Sequence, residues 1–131
     1  MTQQPQYQPQ PAHIPAEERT VAILAHLSAL IAAVVSAGWL SIVGPLIVWA
    51  IYKDRSPLAR QAAAGAFNFN LAIWAAFIVG WICFFTIVLI PVAIIIWLVA
   101  AVAGLVCHIL GAVRANNGET YNYPFQIRVL S

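Results

Sequence analysis

Apolar runs alternate with short polar interruptions along this chain, and the runs predict its helices. Pro15 precedes the first run, where a proline suits the start of a helix, and Glu17 and Glu18 follow where the helix dipole favours carboxylates. A helix of about twenty residues covers the ~30 Å hydrocarbon core of a bilayer. The pattern therefore predicts membrane-spanning helices over residues 16–36, 40–52, 57–90 and 92–115.

The second apolar run, residues 40–52, is short and contains Gly44 and Pro45, a pair that favours a kink or a re-entrant path. We interpret it as a short second span. The predicted fold is then an all-α integral membrane protein with a four-transmembrane-helix bundle over residues 15–115. The alternative is a three-span arrangement, which would place Arg19 on the outer side of the membrane.

The segments on either side of the bundle have a different composition. Residues 1–14 are rich in Gln and Pro and predict a disordered cytoplasmic tail. After an Asn-Gly helix stop, Tyr121, Tyr123 and Phe125 alternate with polar residues or proline. This alternation predicts that residues 116–131 form an extended cytoplasmic segment at the membrane interface, with aromatic rings at headgroup level.

Composition and charge support a membrane location. Hydrophobic residues make up 63% of the chain and charged residues only 8%, far from the values of soluble domains. The turns "SAGW" and "LIPV" carry no charge, whereas basic residues occur at both termini and in the middle loop. By the positive-inside rule, both termini and the basic loop of Lys53, Arg55 and Arg60 are predicted to be cytoplasmic, in a bacterial plasma membrane. We interpret this loop mainly as the determinant of membrane topology. The alternative is that it binds anionic lipid or a partner protein.

Each long helix carries a stripe of small residues that contains one polar residue. His26 is the polar member in the first helix, Asn68 in the third and His108 in the last. Their similar distances from the charged helix ends predict that the three side chains meet inside the bundle. Asn70 points away from this stripe, so its partner remains open. The small residues predicted to pack helices together are Gly65, Ala72, Gly104 and Gly111.

The predicted polar cluster of His26, Asn68, Asn70 and His108 has two interpretations. The first is hydrogen bonding between helices, which satisfies polar groups in hydrocarbon. The second is a functional site, such as a proton or ion path or a pocket for a lipid headgroup, since ionisable residues inside membranes are often functional. Two histidines without a carboxylate or thiolate at matching depth do not predict a metal site.

No catalytic motif is present, and the only acids, Glu17, Glu18, Asp54 and Glu119, lie outside the predicted spans. We therefore expect a protein that is not an enzyme and has no cofactor. The expected partners are the lipid bilayer and either another membrane protein or further copies of the chain, and not nucleic acid.

Three stretches carry a family resemblance: "AILAHLSAL", "IVGPLIVWAIYKDRSPLARQAAAGAFNFN" and "GAVRANNGETYNYPFQIRV". In order and spacing they resemble the bacterial Tic-twenty-like small membrane proteins, which are relatives of a chloroplast inner-envelope import component. The resemblance implies four membrane-spanning helices with both ends in the cytoplasm. The chain departs from that family's pattern at Gly65 and Asn70, where the family usually has an acidic residue and glutamine.

Together these observations favour an accessory or scaffold subunit of a membrane assembly, with protein translocation or another envelope process as the suggested setting. The alternative is a small oligomeric channel or transporter that uses the His/Asn cluster.

Overall fold

The computed structural model describes residues 13–131, and the described part of the chain contains helices, turns and an extended C-terminal segment but no strand. Residues 1–12 of the predicted disordered tail lie outside the described residues. The helices are α1 (Ala16–Ser36), α2 (Val43–Tyr52), α3 (Pro57–Phe85) and α4 (Ile90–Asn116). Helices α1, α3 and α4 are long and apolar enough to cross a membrane, whereas α2 has only 10 residues.

The three long helices pack against one another in every pairing, and α2 packs against α1 and α3. Two hydrogen bonds tie the polar helix ends together. The Ser56 hydroxyl donates to Glu18 Oε2 at 2.8 Å, and Arg19 Nη1 donates to the main-chain oxygen of Asn116 at 3.3 Å. The starts of α1 and α3 and the end of α4 therefore share one end of the bundle, the charged end. The turns over 37–42 and 86–89 carry no charged residue and form the uncharged end.

Local sequence explains where the first and third helices begin and end. Ser56 caps α3 by accepting a hydrogen bond from the Ala59 N–H at 3.2 Å, and Pro57 follows at the first helical position. At the end of α1, Ala37 and Gly38 adopt left-handed conformations with φ of 52° and 94°. That geometry is common just after a helix and stops α1 before the chain turns into α2.

Helix α2 begins at Val43 rather than at residue 40, because residues 37–42 form turns. Gly44 and Pro45 therefore lie in its first turn. A proline in the first turn interrupts no helical hydrogen bond, so the predicted kink at this pair is wrong. Gly44 instead permits a close approach to α1, since a Cβ there would lie 2.7 Å from the main-chain oxygen of Ser28.

The connection between α3 and α4 also differs from the predicted one. Helix α3 ends at Phe85 instead of continuing to residue 90, and Ile87 in the turn has a left-handed φ of 59°. Helix α4 begins at Ile90, so Pro91 lies in its first turn. Pro91 marked a turn at "LIPV", so the break between the two helices was predicted but placed too far along the chain. Residues 86–89, which contain neither Gly nor Pro, form the turn.

The extended segment that follows α4, residues 117–131, packs against the bundle. Tyr123 is only 4% exposed, and the Ile127 N–H donates to the main-chain oxygen of Asn68 at 3.1 Å. The prediction that the tyrosine rings lie at headgroup level is therefore wrong for Tyr123. The physical reason is that two buried histidines offer its hydroxyl hydrogen bonds inside the bundle, whereas Phe125, which has no polar atom to place, remains 75% exposed.

Candidate functional site

The centre of the bundle contains a tyrosine held between two histidines. The Tyr123 hydroxyl lies 2.7 Å from Nδ1 of His26 on α1 and 2.8 Å from Nδ1 of His108 on α4. Both histidines are 1% exposed. Residues 97 positions apart in the chain are thus joined by one hydrogen bond, and the C-terminal segment links the first and last helices.

Asn70 on α3 extends this chain of hydrogen bonds. Its Nδ2 donates to the main-chain oxygen of Ala66 at 3.0 Å and lies 3.2 Å from His108 Nε2. Only the amide nitrogen can donate to a carbonyl, which fixes the orientation of the Asn70 amide. His108 Nε2 is then an acceptor, so a neutral His108 carries its proton on Nδ1 and donates to Tyr123.

The remaining proton positions follow in order. Since the Tyr123 oxygen accepts from His108, its own O–H donates to His26 Nδ1, and a neutral His26 carries its proton on Nε2. Burial raises the pKa of the Tyr123 phenol above its ordinary value, so the hydroxyl stays protonated at neutral pH and can donate. His26 Nε2 has no hydrogen-bond partner within the described part of the chain.

Two glycines allow α3 and α4 to approach the rings of the site closely. A Cβ at Gly111 would lie 2.5 Å from His26 Nδ1, so only glycine lets α4 approach the His26 ring this closely. A Cβ at Gly65 would lie 3.3 Å from the Tyr123 ring. Phe69 stacks on the other side of the site, with its ring centre 4.6 Å from that of Tyr123. The ring positions are thus set by direct packing against α3 and α4.

Asn68 does not join His26 and His108, contrary to the prediction. Its Oδ1 accepts from the N–H groups of Val129 and Leu130, both at 2.9 Å, and its Nδ2 donates to the Leu130 oxygen at 2.7 Å. Asn70, whose partner the sequence left open, contacts His108 in its place. The reason is that the C-terminal segment lies against the face of α3 that carries Asn68, and the sequence gave no indication of that strand-like partner.

The other two predicted packing residues, Gly104 and Ala72, are not tightly packed, and Gly104 borders a cavity. Gly104 faces open space, with no atom within 4 Å of a Cβ placed there, and Ala72 is partly exposed. Gly104 lines a cavity of about 510 Å³ between α1, α3 and α4 on the side of the uncharged end. We call it the aromatic cavity, because its lining includes Trp39, Trp74, Phe77, Trp81 and Trp97, with Asn70 and His108 at its polar end.

The basic loop contacts the C-terminal segment as well as solvent. Arg60 Nε donates to the main-chain oxygen of Ser131 at 2.9 Å, and the Trp49 ring donates to the same oxygen at 3.1 Å. The Lys53 ammonium lies 4.6 Å from the centre of the Trp49 ring, while Arg55 is exposed. This loop therefore fastens the end of the described chain to the charged end of the bundle.

Metal binding receives no support from the described side chains. Among residues 13–131, no group of three or more His, Cys, Asp or Glu side chains lies close enough together to hold a metal ion. His26 and His108 are instead committed to the Tyr123 hydroxyl. Tyr123 itself was not among the predicted site residues, because its place in an alternating aromatic segment signals only an interfacial ring.

Comparison with known proteins gives one match. A family model named MamF/MmsF, described as the magnetosome magnetite crystal formation protein family, matches residues 17–130. No curated protein and no solved structure matches the chain. The match assigns a different family from the Tic-twenty-like one, so that resemblance was wrong. The suggested link to protein translocation depended on it and has no other support.

Proposed function

The chain belongs to the magnetosome magnetite crystal formation family, and on that premise we propose that it is a non-enzymatic accessory protein of the magnetosome membrane. The observation that carries the proposal is the extent of the match. Residues 17–130 include α2, α3, α4 and nearly all of α1, and they also include the buried Tyr123. The proposed role is to support magnetite crystal formation from within that membrane. The sequence alone predicted a plasma-membrane location, so the plasma-membrane fraction is the control when the protein is localised.

The proposed topology has four spans, counting α2 as a short one, with the charged end in the cytoplasm. Its support is the placement of charge: α1 and α3 start at the charged end and α4 finishes there, next to the basic loop. The opposite turns, 37–42 and 86–89, then face the magnetosome interior. These turns contain no carboxylate, so we propose that the chain acts through partner proteins or membrane organisation and not by chelating iron at the crystal surface.

Single-cysteine labelling tests this topology. Cys83 and Cys107 are replaced by serine, and one cysteine is introduced either at Asp54 in the basic loop or at the exposed Val88 in the turn between α3 and α4. In intact isolated magnetosomes, a membrane-impermeant maleimide is expected to label position 54 before solubilisation and position 88 only afterwards. Labelling of position 88 first would reverse the proposed orientation.

Deletion of the gene in the source organism tests the role itself. Loss of the protein is expected to reduce the size or number of magnetite crystals in electron micrographs, and the wild-type gene is expected to restore them. Fractionation should recover the protein with magnetosomes rather than with plasma membrane. A source organism that forms no membrane-bounded magnetite, or unchanged crystals after deletion, would overturn the proposal.

The buried hydrogen-bond chain favours a second candidate function, a small oligomeric channel or transporter for protons. The chain from Asn70 through His108 and Tyr123 to His26 is continuous, and two of its members are ionisable imidazoles. In proteoliposomes, Tyr123→Phe is expected to abolish proton flux if the chain conducts. Replacement of His26 and His108 by alanine that leaves flux unchanged would make the cluster purely structural.

A further inference from the structure

The aromatic cavity has the size and composition of a small-molecule site. Its volume of about 510 Å³ falls inside the ~300–1,000 Å³ range of ligand pockets. The lining comes from α1, α3, α4 and the turn after α1, and it contains no Asp, Glu, Lys or Arg. Since a charged group would lose its hydration in such a site without finding a partner, the lining selects neutral molecules.

Asn70 lies at the polar end of the cavity. Asn70 is 4% exposed, and its Nδ2 uses both hydrogens, one on the Ala66 oxygen and one on His108 Nε2. No hydrogen bond within residues 13–131 engages Asn70 Oδ1. An amide oxygen can only accept, so a molecule that satisfies Asn70 from the cavity must donate a hydrogen bond.

Of the other polar side chains in the lining, His108, Trp74 and Trp97 are hydrogen-bonded, whereas no hydrogen bond within residues 13–131 engages the indole N–H of Trp39 or Trp81. The two nitrogens of His108 are engaged by Asn70 and by the Tyr123 hydroxyl. At the far side of the cavity, Trp74 Nε1 donates to the Gly38 oxygen and to Ser41 Oγ. The cavity thus offers one strong acceptor at the end of a long aromatic wall.

We infer that the aromatic cavity binds a neutral, membrane-soluble molecule with an apolar body and a hydroxyl group that donates to Asn70 Oδ1. Long-chain alcohols and quinols share this chemistry. The inference does not depend on the proposed role in magnetite formation, because it concerns a ligand of the bundle itself.

Tryptophan fluorescence offers a direct readout, because four of the five tryptophans line the cavity: Trp39, Trp74, Trp81 and Trp97. The full chain in lipid nanodiscs is titrated with 11-bromoundecan-1-ol and with 1-bromoundecane, which differ only in the hydroxyl group. Bound bromine quenches nearby tryptophan. Saturable quenching by the alcohol is expected at a membrane mole fraction roughly threefold to tenfold lower than for the alkane, the effect of one net hydrogen bond.

Two variants separate the cavity from the rest of the bundle. Gly104→Leu places a side chain in open cavity space and is expected to abolish saturable quenching, whereas Val106→Leu, an exposed position outside the lining on the same helix, is expected to leave it unchanged. Asn70→Leu is expected to remove the preference for the alcohol. If Asn70→Leu does not fold, the probe pair and Gly104→Leu still decide the question.

Competition distinguishes the two ligand sources. Dodecan-1-ol and decylhydroquinone are added against bound bromoundecanol, and the stronger competitor identifies the class. Equal quenching by the bromoalcohol and the bromoalkane in the wild-type protein would overturn the hydroxyl requirement and leave a lipid-tail groove. Quenching that does not saturate, or that persists in Gly104→Leu, would overturn the site.

Discussion

The two halves of α3 differ in composition and pack differently: the half nearer the charged end contains Arg60, Gln61 and two asparagines, whereas residues 71–85 contain no charged or amide side chain. In the half nearer the charged end, Leu58, Ala59 and all residues from Ala62 to Asn70 are buried. In the half nearer the uncharged end, Gly80 is the only buried residue up to Phe85. The difference teaches that the most apolar part of this membrane helix is the part that faces outward, and that the less apolar part packs against protein.

Side-chain size accounts for the contrast. The buried half contains the run "AAAGAFNFN", in which small residues let α1, α4 and the C-terminal segment approach closely. The open half contains Trp, Phe and Ile, which hold neighbouring backbones apart and leave the aromatic cavity. Apolar side chains that face outward meet lipid tails at little cost, so neither half is under pressure to bury more.

Among the proposed changes, Gly111→Leu on α4 should most strongly disrupt the packing around the buried half of α3. A Cβ at Gly111 would lie within 2.8 Å of three His26 ring atoms, so α4 must shift and the Tyr123 hydrogen bonds must be lost. We expect a loss of about 3 kcal/mol in the free energy of unfolding, measured by SDS titration in mixed micelles. Gly104→Leu, on the same helix but facing the aromatic cavity beside the open half of α3, is the matched control and should cost nothing or stabilise by up to about 1 kcal/mol. Equal losses for the two variants would contradict the division into halves.

Tyr123→Phe should have the next largest effect. The change keeps the ring but leaves Nδ1 of both His26 and His108 without a partner, at a cost of about 2 kcal/mol in the same SDS titration. Tyr52→Phe removes a hydroxyl that takes no part in this network and should stay within about 0.5 kcal/mol of wild type. A Tyr123→Phe protein as stable as wild type would mean that the histidines do not depend on the hydroxyl.

Asn68→Leu should detach the C-terminal segment without opening the bundle. Three hydrogen bonds from Asn68 hold Val129 and Leu130, and their loss is expected to cost about 1 to 2 kcal/mol. Hydrogen exchange by mass spectrometry should show faster exchange in peptides covering 125–131, with unchanged protection in α4. Fast exchange throughout α4 would instead assign Asn68 to the stability of the whole bundle.

Ser56→Ala should have the smallest effect of the four changes. It removes the cap of α3 and the hydrogen bond to Glu18 at the charged end, and a lost cap costs about 1 kcal/mol. Thr20→Val, which removes an exposed hydroxyl bonded only within α1, should change stability by less than about 0.5 kcal/mol. The midpoints of SDS unfolding for the two variants provide the comparison.

The sequence predicted the positions of the helices better than the contacts between their polar side chains. Length and hydropathy located α1, α3 and α4, and proline with charged residues marked the starts of α1 and α3. The stripes of small residues placed His26 and His108 on inward faces, where the structure has them. The third member of that site is Tyr123, and a helix-face argument has no means of placing a residue from a segment outside the helices.

The partners of Asn68 and Asn70 were not predicted for the same reason, because a segment outside the helices determines them. Both amides lie on a helix that is buried on all sides in this region, so the period of the helix does not single out one inward face. The C-terminal segment supplies main-chain donors to Asn68, which leaves Asn70 for His108. The break after Phe85 was predicted too far along the chain, at Pro91, because that proline lies in the first turn of α4 and not in the turn itself.

The position of Tyr123 in the chain fixes an order of assembly. The hydroxyl is carried by a segment outside the helices, and the two nitrogens that receive it lie on α1 and α4. The place for the tyrosine ring therefore exists only once those helices have met, with Phe69 of α3 against it. Docking of this segment is the step that completes the centre of the bundle, and until then Nδ1 of each histidine lacks its partner.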